Sequence, residues 1–221
     1  MVVDILVAAM MQTTIGGTII ASLRQQAEAY QPRVSCSVTV ATDVDTESGK
    51  GRRTKNGVVR FDHRTGAWET MAGDTGGEDD PAPRDWYGRA LTVAAAAEEA
   101  VRQEDGTFLL STESLPKGIV ANAGRDLGSR SQATAIVSTN SGDPAVMQYT
   151  ISLKEPFRIP LIARGRDYQE EMVFEETDDY GPLTTRRVRV WDVSFPGGFS
   201  RGRSVFTYSD YDCTNSVGIS Q

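Results

Sequence analysis

The sequence has a single histidine and only two cysteines among 221 residues. One imidazole excludes every mechanism that needs two, and most histidine-rich metal centres. There is no H-E-x-x-H, no C-x-x-C, no G-x-S-x-G and no Walker glycine loop. Gly16-Gly17, Gly197-Gly198 and Gly202 do not form a dinucleotide fingerprint. No cofactor and no metal is therefore expected. A basic excess is also missing. The net charge of −7 argues against a nucleic-acid partner and against docking on anionic lipid headgroups.

Long hydrophobic runs are absent as well. Met1–Met11, MVVDILVAAMM, is apolar but carries Asp4 and lacks a basic flank, and it is too short to span a bilayer. Two readings stay open for it. It is the remnant of a secretory signal with Ala8-Ala9 near the cleavage point, or the first turns of an N-terminal helix. The chain is expected not to span a membrane.

What is present suits a folded protein. Hydrophobic residues make up 39% and charged residues 24%, enough for a real core. The reading is one domain over residues 1–221. Gln12–Tyr30 has helical spacing, with Ile15, Ile19, Leu23 and Ala27 four apart, and Pro32 ends it. Val34–Val40 alternates as a half-buried strand. Thr42–Gly57 is polar and reads as a surface loop or an extended hairpin tip. Val58–His63 and Ala67–Met71 flank Arg64-Thr65-Gly66, a bulged hairpin turn. Asp74–Pro83 is too rich in Gly, Pro and acid to be regular. Arg84–Gln103, with four alanines in a row, reads as a helix.

Strands follow at Thr107–Leu110, Ile119–Ala121, Ala133–Ser138 and Val146–Leu153, and Phe157–Ile159 reads as a connection. The last third is a meander: Tyr168–Thr177, Leu183–Phe195 and Ser204–Asp212, separated by Asp178–Pro182 and Pro196–Gly198. A parity switch predicts a β-bulge near Trp191. The order of elements is α+β: a single curved antiparallel sheet with helices packed on its concave face.

Candidate chemistry is sparse. His63 sits in a turn with neither a nucleophile nor an orienting carboxylate marked beside it, so no catalytic residue is assigned and no enzyme is expected. Asp43-Val44-Asp45-Thr46-Glu47 opens like a calcium loop, but Ser48 and Thr54 stand where glycine and glutamate are required. Glu78-Asp79-Asp80 and Asp178-Asp179 read as turn and surface charge. Cys36 and Cys213 lie in the first and last strands. They are either a disulfide of an exported protein or two unpaired thiols, and spacing leaves both open.

A curved sheet with apolar residues inside would make a pocket for acyl chains. The candidate lining is Phe61, Trp68, Tyr149, Phe174, Trp191 and Phe206. Val58-Val59-Arg60-Phe61-Asp62 with Gly66-Ala67-Trp68-Glu69, Leu153-Lys154-Glu155-Pro156-Phe157 and Tyr208-Ser209-Asp210-Tyr211 resemble the outer-membrane lipoprotein carrier and sorting superfamily of bacterial envelopes. That resemblance implies a half-barrel, a periplasmic location, and a lipid, acylated protein or other apolar ligand in the concavity. The alternative is a non-catalytic envelope module with a self-filled core and an envelope protein as partner.

Overall fold

The computed structural model describes residues 2–31, 34–74, 86–122, 125–140, 142–159 and 163–215. In chain order the elements are α1 (Val2–Ala29), β1 (Val34–Ser48), β2 (Gly51–Asp62), β3 (Ala67–Gly73), α2 (Trp86–Ala95), β4 (Glu99–Arg102), β5 (Phe108–Thr112), β6 (Ala121–Asn122) and β7 (Arg125–Asp126). Then come β8 (Ser131–Ser138), β9 (Ala145–Leu153), β10 (Phe157–Ile159), β11 (Ala163–Thr177), β12 (Gly181–Phe195) and β13 (Gly198–Asn215). Among the described residues antiparallel sheet predominates, with two α-helices, so the architecture is α+β. The chain forms two compact units. One is Met1–Gln31 with Tyr87–Ile151, the other Pro32–Trp86 with Ser152–Gln221.

The first unit orders its strands β9-β8-β5-β4. Alternation explains them: Ser131, Ala133, Ala135 and Val137 of β8 are buried, while Gln132 and Thr134 face solvent. Ile19, Ile20 and Leu23 of α1 are buried. Gly16 matters for close approach, because a Cβ there would meet the Ala100 carbonyl at 3.0 Å. The Arg84–Gln103 helix is corrected. Only Trp86–Ala95 is helical, and Glu99–Arg102 is a strand paired with β5. Ladder pairing outweighs alanine's helix propensity there. Arg24 completes the stop by donating to the Ala95 carbonyl at 3.0 Å and the Ala97 carbonyl at 3.4 Å.

The second unit orders its strands β3-β2-β1-β13-β12-β11, with β10 on β11. The meander β11-β12-β13 forms as read, and β1 returns to pair with β13. The polar run Thr42–Gly57 is not a loop. β1 and β2 continue through it and turn only at Gly49-Lys50. Thr42 fixes the register by donating to the Gly57 carbonyl at 3.2 Å. The bulges differ from expectation. Trp191 lies in unbroken register with Gly202, while the extra residues are Arg166 on β11 and Thr185 on β12. Phe157–Ile159 is a short strand, not a bare connection. Ile119–Ala121 contributes only the two-residue strand β6. Most of Asp74–Pro83, with Glu78-Asp79-Asp80, lies outside the described residues.

One face of this unit's sheet is buried around Val38, Val40, Val59, Phe206 and Tyr208, with Phe61 and Tyr211 against them. Cross-strand partners share a face, so Val40 opposite Val59 and Tyr208 stack their side chains. Asp210 is an extra residue on β13 with φ of 51°. Arg60 secures it by donating to its carbonyl at 2.9 Å and to Thr39 Oγ1 at 3.0 Å.

Candidate functional site

Cys36 and Cys213 face each other in register, Cα atoms 4.1 Å apart, and are joined by a disulfide. It ties the first strand of the second unit to its last across 177 residues of sequence. The chain-entropy model assigns such a closure roughly 5 kcal/mol.

The lone histidine stands beside this bond. His63 Nδ1 is 3.0 Å from Ser37 Oγ, and Nε2 is 3.0 Å from Thr214 Oγ1. Ser37 follows Cys36 and Thr214 follows Cys213, so the imidazole bridges the two disulfide strands. Ser37 Oγ also lies 3.3 Å from Asp62 Oδ1. Each ring nitrogen faces a hydroxyl, and the tautomer decides which of the two donates. In a hydrolytic triad a carboxylate orients the base at its far nitrogen, whereas here Nε2 faces Thr214. Asp62 instead accepts from the Arg64 amide at 2.9 Å and from Thr65 at 3.1 Å. Those bonds, led by the Arg64 amide, hold its carboxyl below the usual range. The constellation is a strand-end clamp of hydrogen bonds.

A second polar group lies on the buried sheet face. Glu170 and Arg187 form an ion pair of 3.2 Å, with side chains 1% and 8% exposed. Tyr168 donates to Glu170 Oε2 at 2.8 Å. The Arg187 guanidinium sits 4.4 Å from the centroid of the Trp86 ring and 5.9 Å from that of Phe206. Arg187 Nε and Ser204 Oγ are buried and make no hydrogen bond among the described residues. Sequence reading missed this pair, although a signal existed. Glu170, Met172 and Phe174 share strand parity, which placed a carboxylate on the apolar face.

The aromatic residues assigned to a pocket divide between the units. Tyr149 belongs to the first and is fully buried, with Arg89 over its ring at 5.8 Å. In the second unit Phe174 and Phe206 are 2% and 1% exposed, so both are core. Trp191 packs across Gly202, where a Cβ would meet its ring at 2.8 Å, and its Nε1 donates to Ser200 at 3.1 Å. The Phe61 and Trp68 rings meet at a 46° tilt with centroids 4.9 Å apart, Trp68 lying on the exposed strand β3. Asp43 to Glu47 are strand residues of β1, and the described residues hold no group of three metal-ligating side chains. None of the described helices is long and apolar enough to cross a membrane. No family model, curated protein or solved structure matches the chain.

Proposed function

We propose that this chain is a non-catalytic interaction module of an oxidising, exported compartment, with a self-filled core and recognition carried by its exposed strands. The observation that carries this reading is the burial of Phe174, Phe206 and Tyr149 inside the cores of their own units. Side chains that complete a core are not free to line a ligand cavity. In the second unit the exposed large apolar residues Trp68, Met71 and Phe195 sit instead on strand β3 and at the end of β12, while Ile15 and Val101 are exposed in the first. The disulfide supports the compartment, because reducing cytosol does not maintain such bonds. Thr214 at His63 Nε2, in the place where a triad holds a carboxylate, supports a structural role for the histidine.

The test is native mass spectrometry of protein from an exporting host, followed by denaturation and solvent extraction. The expected result is a bare chain, two protons lighter than its reduced form. A stoichiometric acyl ligand in the extract would instead establish lipid binding and overturn the module reading.

A further inference from the structure

The strands of the second unit are charged unevenly along their length. At the end where the β1–β2 and β12–β13 turns lie, Arg53, Arg158, Arg164, Arg166 and Arg203 are all exposed. None of the five forms an ion pair among the described residues. Asp45 and Glu47 at that end are already committed to Arg52 and Arg201, and Asp167 and Asp192, opposite each other on β11 and β12, leave the five arginines in excess. At the opposite end, beside the β11–β12 turn, Glu175, Glu176, Asp178 and Asp179 are exposed and equally unpaired among the described residues. Strand β11 carries Arg164 and Arg166, followed by Asp167, at one end and Glu175 and Glu176 at the other.

Arg158 and Arg164 add an independent observation. They are direct cross-strand partners, both exposed. Like charges placed directly opposite each other destabilise a sheet. A docked carboxylate cluster would remove that repulsion. Arg166 and Glu175 are about 30 Å apart along β11, estimated from the rise per residue. That exceeds the Debye length of about 8 Å at physiological salt several times over, so neither pole neutralises the other within one molecule.

We infer that the basic end of this sheet docks the acidic end of a second copy of the chain. The inference rests on the interaction-module reading and names its partner. A second copy supplies the complementary pole from the same sequence. A free polyanion would meet the remainder of a chain whose net charge is −7. Contact between two different surfaces is heterologous, so the association is head to tail and extends unless it closes into a ring.

Sedimentation velocity over a concentration series tests this. The intact protein is expected to gain mass with concentration at about 20 mM salt and to return to monomer at about 500 mM. Arg158→Glu with Arg164→Glu, and separately Glu175→Lys with Glu176→Lys, should each weaken association at least tenfold. In an equimolar mixture the unaltered acidic end of the first variant meets the unaltered basic end of the second, so association should recover relative to either variant alone. All four substitutions are at exposed positions, and Arg203→Glu gives a further basic-end probe on a different strand. A monomer at every concentration in low salt, or association that survives both charge reversals, overturns the inference. A monomer free of extracted lipid leaves the module reading in place with another partner, whereas extracted lipid removes that reading whatever the sedimentation shows.

Discussion

The two units bury different chemistry. The first is apolar inside, and its buried hydroxyls stay local. Thr112 donates to the Ser114 carbonyl at 2.8 Å and Ser131 to the Leu127 carbonyl at 2.9 Å. The second buries a charged pair, Glu170 and Arg187, and adds a covalent bond between its first and last strands. Its stability therefore depends on one buried ion pair and one covalent closure. That difference predicts where each unit fails.

The largest effect is expected from the disulfide. Cys36→Ser with Cys213→Ser should destabilise the second unit by roughly 5 kcal/mol, the loop-closure estimate for so long a separation. Hydrogen exchange resolved by peptide separates the units. Protection should fall in β1, β2 and β11 to β13 and hold in β5 and β8. Equal loss in both units would show that they unfold as one, and the contrast drawn above would be wrong.

Next comes the buried pair. Arg187→Met removes the cation 3.2 Å from Glu170 in a buried site, which should cost about 3–5 kcal/mol. Replacing both, Arg187→Met with Glu170→Met, should recover most of that loss, because hydrophobic residues of similar volume fill such a site well. A denaturant titration of the single and double variants gives both numbers. A double variant as unstable as the single one would show that Tyr168 and Trp86 depend on the charges themselves.

The same contrast explains what could be read from the sequence. The meander was legible because β11, β12 and β13 are joined by turns containing Gly, Pro and Asp, and local chemistry dictates such turns. β8 and β9 were legible from alternation. The β1–β2 ribbon was obscured because its outer half is polar on both faces, so no hydrophobic period marks it. The early end of α2 was hidden because Arg24 and Ser111, far away in sequence, decide it. Cys36 and Cys213 could be suspected but not paired, since their Cα separation depends on the β1–β13 register. The aromatic set failed for a related reason. Parity within a strand does not reveal whether a face meets a core or a cavity.

The smallest effects are in pH, and they distinguish the units again. Tyr211 donates to the Thr184 carbonyl, and burial pushes its phenol above the ordinary tyrosine range. A raised folded value means the stability it contributes is complete below the unfolded value near 10 and is lost as pH rises further. Acid behaves differently. Asp62 in the second unit is depressed chiefly by the Arg64 amide, Asp105 in the first by Thr107, and Asp126 in the first by the Gly118 and Gly128 amides. Their contribution is complete above the unfolded value near 3.9 and disappears as pH falls through the lowered ones. Acid should therefore loosen both units, and alkali above about pH 10 the second unit first. Tyr211→Phe should cost about 1 kcal/mol at neutral pH while flattening the alkaline limb. Melting curves of the wild type and this variant from pH 8 to pH 11.5 provide the check. Parallel alkaline limbs in the two proteins would place the sensitive group elsewhere than Tyr211.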